Sequence, residues 1–427
     1  MAISLPSFAA SPSDPTFNQN PYPAYSAMRA LGPLFLWQDY GYVCSARYET
    51  VNAILRDRRF GRERPADLAP IVPIHLEPFY AFESRSMLER EPPVHTRLRG
   101  LVNKAFVSKA VDRLRPRIAA HAHKLIDSFE TERRVELITR FATPIPVTVI
   151  AELLGIPVDY APQLLDWSHR MVAMYQFGRS EAQEHDAVAA TLAFSVLIRN
   201  VIALRRSNPG PDLLSALIAA RDNDDRLSED ELITTAILLL NAGHEATVHS
   251  IGNAVAAILG SGRDHRKLFS DTKATEATVE EALRYDPPLH LFTRYALADL
   301  EIASYGFRRG ETVGLLLAAA NRDPMRPAAG ASGLGHGLSS HPDGANPSIV
   351  EQSSNDLDMF EPARPIMPHL SFGAGIHFCV GAPLARVELQ IALPILFSRL
   401  PKLAIESPPT YRDAYHFHGL DRLDLRF

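Results

Sequence analysis

Only two cysteines occur in 427 residues, Cys44 and Cys379. A single pair cannot build a disulfide framework, so a reducing compartment is expected. Two thiols also cannot ligate an iron–sulfur cluster, which takes four ligands. Net charge is small as well, formally -5 with a pI near 6.4. The strongly basic surface that would make nucleic acid the main partner is therefore missing. The N-terminal stretch MAISLPSFAASPSDPTF has no basic segment followed by an apolar one, and so does not read as a secretory signal. The longest unbroken apolar run, around Leu232 to Leu240, falls far short of the roughly 20 residues a bilayer crossing needs. These absences point to a cytoplasmic protein with no membrane anchor. A 46% hydrophobic, 22% charged composition supplies a core able to hold a cofactor-sized cavity.

Short apolar alternations, Leu34-Phe35-Leu36-Trp37 and Tyr42-Val43-Cys44, predict strands near a helix at Tyr48 to Arg56. From there to about Arg284 the pattern is mostly helical. The clearest helix starts at Ser228, which stands three residues before Glu231 as a capping box requires, with acidic residues in the first turn. It continues through LITTAILLLNAGHEATVHSIGNAVAAIL to Gly260, roughly 45 Å at 1.5 Å per residue, the length of a core helix. Residues 325–356 are small, polar and glycine-rich without periodicity, which predicts a flexible surface excursion. No internal repeat is visible.

The most informative segment is Phe372-Gly373-Ala374-Gly375-Ile376-His377-Phe378-Cys379-Val380-Gly381, followed by the amphipathic stretch APLARVELQIALPILFSRL. A cysteine just before a helix has its thiolate stabilised by the helix dipole and nearby N–H groups. Glycines at 373, 375 and 381 would let backbone approach a flat ligand closely. His377 could donate a hydrogen bond to an acidic group on that ligand. A lone cysteine is more often a buried structural thiol, and here the spacing reverses those odds. The segment resembles the haem-binding signature of the cytochrome P450 family, Phe-Gly-x-Gly-x-His-x-Cys-x-Gly, with every fixed position filled.

The resemblance extends over nearly the whole chain. Glu281-Ala282-Leu283-Arg284 is similar to the family's Glu-x-x-Arg pair. Arg364, eight residues before Phe372, matches the third member of that structural ion network, satisfying the remaining carboxylate oxygen. His95-Thr96-Arg97-Leu98-Arg99 resembles the helix that grips the haem propionates, with His95 and Arg99 on one face, and Arg294 resembles another propionate-binding residue. With His377, these residues supply donors for two carboxylates. The resemblance implies a mainly α fold with small β-sheets, a helical prism around a buried haem. The helix near 229–259 would run through its centre, and residues 1–427 would form one domain. It implies haem b (iron protoporphyrin IX) as cofactor and Cys379 as the iron ligand, with Ala242, Gly243, Phe372, Gly373 and Gly381 beside the macrocycle.

Ala242-Gly243-His244-Glu245-Ala246-Thr247 resembles the segment that lies over the haem. There Ala242 and Gly243 would leave room for dioxygen and Glu245 would feed protons. The family usually has threonine next, but this chain has Ala246, with the hydroxyl displaced to Thr247. Alanine cannot make the hydrogen bond that steadies bound oxygen. Thr247 or an ordered water could substitute, the substrate's own hydroxyl could do so, or reduced oxygen could leak as peroxide. Some bacterial members carry alanine here and act on hydroxylated substrates. For His244 a packing role is expected.

The implied activity is a monooxygenase reaction on a small molecule, in which electron donation from the Cys379 thiolate favours O–O cleavage. Dioxygen is the oxidant, and two electrons come singly from a separate ferredoxin and its reductase. Arg97, Lys104, Lys109 and Arg113 are candidates for the partner-facing surface. Family regions suggest substrate contacts from Ile71 to Met87, including Phe79, Tyr80 and Phe82, from Leu238, Asn241, His290 and Leu291, and from Tyr415, His416 and Phe417. Asn241, His290 and His416 would add polar handles, which hints at hydroxylation or epoxidation of a terpenoid, steroid-like or macrolide-like compound. A peroxide-driven haem-thiolate enzyme and a non-catalytic haem sensor are the rival readings.

Overall fold

The computed structural model describes residues 5–106, 111, 113–220, 225–325, 357–415 and 417–427. The glycine-rich stretch beyond Met325, Lys109 and His416 lie outside the described residues. Within them the chain is mainly helical with small sheets. A six-stranded sheet has the order Ser7–Phe8, Phe35–Trp37, Tyr42–Ser45, Thr312–Leu316, Leu291–Ala296, Phe60–Gly61. The alternation at 34–44 forms an antiparallel hairpin with Phe35 opposite Cys44. Its turn closes at Gly41, whose φ of 70° suits glycine. The helix Tyr48–Arg56 follows and buries Val51, Ile54 and Leu55.

The central helix spans Glu229–Gly260, about 48 Å. Ser228 caps it by accepting from the Glu231 N–H, and Glu231 reciprocally accepts from the Ser228 N–H at 2.8 Å. Its apolar residues are buried nearly all round because four helices surround it: Pro144–Leu154, Glu181–Ser207, Thr272–Tyr285 and Ala382–Arg399. Such a helix is a core element, held by packing rather than by its own propensity. Gly252 admits one more neighbour, the turn Ile138–Ala142, since a Cβ there would meet Ile138 Cδ1 at 2.7 Å.

The helix Glu181–Ser207 has no long unbroken apolar run, yet by length and composition it is apolar enough to cross a membrane. In the fold it packs Ala187, Ala190, Phe194, Ile198 and Ile202 inward, leaving Leu192, Val196 and Leu204 exposed.

Candidate active site

Cys379 lies between a 3₁₀ turn, Gly375–His377, and the helix Ala382–Arg399, which carries proline in its first turn. Its N–H donates to the Phe372 carbonyl at 3.0 Å, closing the loop. Asn321 fixes the entrance: it donates to Ser371 Oγ at 2.9 Å and accepts from the Leu370 N–H at 2.7 Å. Two of the three glycines expected to admit a flat ligand instead face protein. A Cβ on Gly375 (φ 72°) would run into the Leu55 carbonyl, and one on Gly373 (φ 69°) would lie 3.2 Å from Phe292. They let the loop dock on the helix Tyr48–Arg56 and the neighbouring sheet. Dipole stabilisation of the thiolate also needs correcting. Burial pushes the Cys379 thiol above its usual value, and the Gly381 and Ala382 N–H groups with Arg99 and Arg386 only partly offset this. A metal ion held by Cys379 would deprotonate this thiol outright.

The ion network behind this loop is assembled. Glu281 accepts from Arg284 Nε and Nη2 at 2.7 and 2.8 Å and lies 3.7 Å from Arg364 Nε. Arg284 also donates to the carbonyls of Asn321, Leu357 and Met359, tying its helix to the chain that leads to Cys379. The sequence reading missed a second carboxylate next door. Glu280 takes a bidentate contact from Arg386 at 2.6 and 3.0 Å and lies 3.2 Å from His369. Burial alone would raise its pKa, but these partners hold it down at about 2. The adjacent acids Glu280-Glu281 and the arginine seven residues past Cys379 were the available signal.

Several of the expected propionate ligands gather in one place. His95 is buried, its ring 4.4 Å from that of His377. His377 Nε2 is 3.0 Å from Glu91 Oε1. Burial, with the His377 and Arg99 charges, lowers His95 to about 4. Burial and the neighbouring Arg62 lower Arg294 to about 9. Arg62, absent from the sequence reading, pairs with Glu89 and reaches Thr293 Oγ1 at 3.5 Å. Arg99 donates to the Phe378 carbonyl at 2.7 Å, beside the sulfur. A buried cation cluster whose charged forms are disfavoured calls for a further anion. His95 Nδ1, buried without a hydrogen-bond partner among the described residues, can bond to that anion.

On the central helix, Leu238, Ala242 and Ala246 form an i, i+4, i+8 stripe. Ala242 is exposed and the other two half-buried, although most of the helix around them is buried. Among the described residues this stripe stays partly open at Ala242, and a flat apolar face would seal it. Together with the cation cluster and Cys379, it fits a haem. Gly243 does not share the stripe: a Cβ there would meet Ile150 at 3.1 Å, so its smallness serves helix packing rather than oxygen access. Glu245 likewise turns into a buried ion cluster, its side chain 3% exposed. It accepts from Arg412 at 3.0 Å and lies 3.1 Å from His169 and 3.5 Å from both His244 and His249. Burial would raise its pKa, but the imidazoles gathered around it, His169 first, hold it well below the usual carboxylate range. The Thr247 hydroxyl donates back to the Gly243 carbonyl at 3.0 Å.

The substrate contacts divide. Asn241 is half-buried, and its Oδ1 has no hydrogen-bond partner among the described residues. His290 is not a handle: it is fully buried, its Nδ1 bonded to the Tyr25 hydroxyl at 2.7 Å and its ring 4.3 Å from His418. Tyr415 is buried against Phe17 and Trp37, and Phe79 and Phe82 are core residues. Leu291 and Phe417 are half-buried, and Tyr80 is 39% exposed. Arg97 is committed to Glu231 and Asp225.

The Cytochrome P450 family profile matches residues 32–325 and 355–406. The chain is 32% identical over 424 residues to the biotin biosynthesis cytochrome P450 of Bacillus subtilis, covering 98% of this chain and 99% of that one. It is 33% identical over 426 residues to 6-deoxyerythronolide B hydroxylase of Saccharopolyspora erythraea, covering 96% and 97%. Among solved structures, P450BioI in complex with an acyl carrier protein bearing hexadec-9Z-enoic acid superposes with a TM-score of 0.85 at 32% identity, covering 96% and 99%. This chain belongs to the cytochrome P450 family and is a haem-thiolate monooxygenase.

Proposed function

We propose that this monooxygenase hydroxylates or epoxidises a mostly apolar small molecule that carries a hydroxyl of its own, of the macrolide, terpenoid or steroid-like class. The observation that carries this reading is the partly open stripe Leu238, Ala242, Ala246 with no hydroxyl on it. Thr247, the nearest alcohol in sequence, spends its proton on the Gly243 carbonyl, so a substrate hydroxyl takes over its part. Asn241 Oδ1, buried without a partner among the described residues, offers an acceptor to such a substrate. The S. erythraea relative, named as a hydroxylase of 6-deoxyerythronolide B, supports the same class.

Haem b, held by Cys379 with His95, Arg99, Arg294 and His377 toward its propionates, supplies dioxygen activation and oxygen insertion when bound. The chain's own residues do the rest. The cations neutralise two carboxylates, which offsets their burial. Leu238 and Ala242 give the substrate an apolar wall that excludes water. Glu245 stays ionised and positions the imidazoles around it. Imidazole is the side chain that exchanges protons near neutral pH, and His169, its side chain 44% exposed, connects the cluster to solvent. Arg412 opens on a second side, in a surface cleft of about 380 Å³ shared with Gln19 and Gln176. Electrons come from outside the chain, by our reading from a ferredoxin and its reductase in the cytoplasm.

The test is a screen of hydroxylated and deoxygenated pairs of such compounds against the haem-loaded protein. Displacement of iron-bound water is read from the absorption spectrum, and product from turnover with a bacterial ferredoxin and reductase. The hydroxylated member of a pair should give markedly more product per reduced cofactor. Equal coupling for both members would overturn the substrate-assisted reading. Turnover with peroxide alone would favour a peroxygenase.

A further inference from the structure

Glu245 and its neighbours can do more than hold a proton. We propose that His169, His244 and Glu245 form a binding site for a divalent transition-metal ion of the zinc type, separate from the Cys379 site. His169 Nε2 lies 3.1 Å and His244 Nε2 3.5 Å from the same oxygen, Glu245 Oε2. All three ligand atoms fall within 4.8 Å of one another. A tetrahedral zinc with bonds of about 2.0–2.1 Å separates adjacent ligand atoms by roughly 3.3–3.4 Å, close to both distances.

The second observation is the state of His244. Its Nδ1 lies 3.0 Å from the Leu240 carbonyl, which can only accept, so Nδ1 carries the hydrogen. In the neutral ring, Nε2 then points a lone pair at a carboxylate oxygen. The residue is fully buried and Nε2 has no hydrogen-bond partner among the described residues. Two facing lone pairs are costly unless a cation sits between them. A ring that donates one N–H to a backbone carbonyl and offers the other nitrogen is the usual arrangement of a metal-bound histidine.

The surroundings complete a site. Glu245 Oε1 is held by Arg412 at 3.0 Å, with His249 at 3.5 Å, which orients the carboxylate and leaves Oε2 for the ion. His169, 44% exposed, gives access from solvent and leaves a fourth position for water. Two imidazoles and one carboxylate suit zinc, cobalt or nickel better than calcium or magnesium. The other close group, Asp286, His290 and His418, is different. Its carboxylate already takes the Tyr22 and Tyr411 hydroxyls at 2.6 and 2.8 Å, and all three residues are buried.

The experiment titrates zinc chloride into chelator-treated, haem-loaded protein by calorimetry, with the absorption spectrum reporting an intact haem site. We expect one zinc per chain with a micromolar or tighter Kd. His169→Ala, at a partly exposed position, should weaken binding about tenfold or more. His185→Ala, whose imidazole faces Glu181 and not the Glu245 cluster, should leave binding unchanged. X-ray absorption of the zinc-loaded protein should show nitrogen and oxygen neighbours and no sulfur. No stoichiometric binding, binding indifferent to His169→Ala, or sulfur in the zinc shell would each overturn the proposal. None of these outcomes depends on turnover, so the site stands or falls separately from the substrate reading.

Discussion

Ala246 puts a methyl group on the stripe where the family usually has an alcohol, and what replaces that alcohol decides how protons reach oxygen. Ala246→Thr restores a hydroxyl on the half-buried face without crowding the core. With a hydroxylated substrate we expect little change in product formed per reduced cofactor. A gain on the scale of a proton-delivering group, about a hundredfold, would show that the substrate was not doing this work. Glu245→Gln asks the complementary question. Glutamine keeps the shape but removes the charge that gathers three imidazoles and Arg412. Product formation should fall about a hundredfold, while the spectral shift on substrate binding persists. Because its partners hold Glu245 well below the usual range, the native rate should show no acid limb near the ordinary carboxylate pKa.

At the scale of elements, the helix Thr272–Tyr285 is the bracket that holds the Cys379 loop. Glu281 and Arg284 bind the chain entering the loop, and Glu280 binds Arg386 on the helix leaving it. Glu280 has its pKa lowered to about 2 in the fold, below its unfolded value of about 4.3. A depressed carboxylate stabilises above its unfolded pKa, and that stability is lost as pH falls toward the folded value. Its side chain is 17% exposed, so the contribution at neutral pH is on the order of 2–3 kcal/mol. Glu280→Gln should lower the denaturation midpoint at pH 7, and the gap from the native protein should narrow between about pH 4.3 and 2. A gap that stays constant over that window would disprove the assignment.

The same helix shows what could be read in advance. Glu281, Arg284, Cys379 and the Ser228 capping box were legible because each belongs to a pattern only a few residues long. Arg386 was not paired with Glu280 because nothing in the spacing shows that the two helices cross there. Gly243 and His290 misled for a related reason. Their positions in the sequence were read as facing a ligand, whereas Ile150 and Tyr25, on elements distant in sequence, occupy the space. Glu245 kept its place on the helix but acquired His169 and Arg412 as partners that no local rule supplies.

For the whole molecule, the open surface question is where an electron-donating protein docks. Arg97 was a natural candidate, beside the cation cluster, but its guanidinium is directed at Glu231, with Asp225 at 3.5 Å. Glu231 is also the capping residue that accepts the Ser228 N–H. Arg97 therefore joins the helix Val94–Ala105 to the start of the central helix. Arg97→Glu would set three carboxylates together there, at partly buried positions, costing about 1–3 kcal/mol. The expected outcome is a lower thermal midpoint with an unchanged rate of first electron transfer at low salt. A steep loss of that rate, recovered by raising the salt of the native reaction to match, would place Arg97 on the docking face after all.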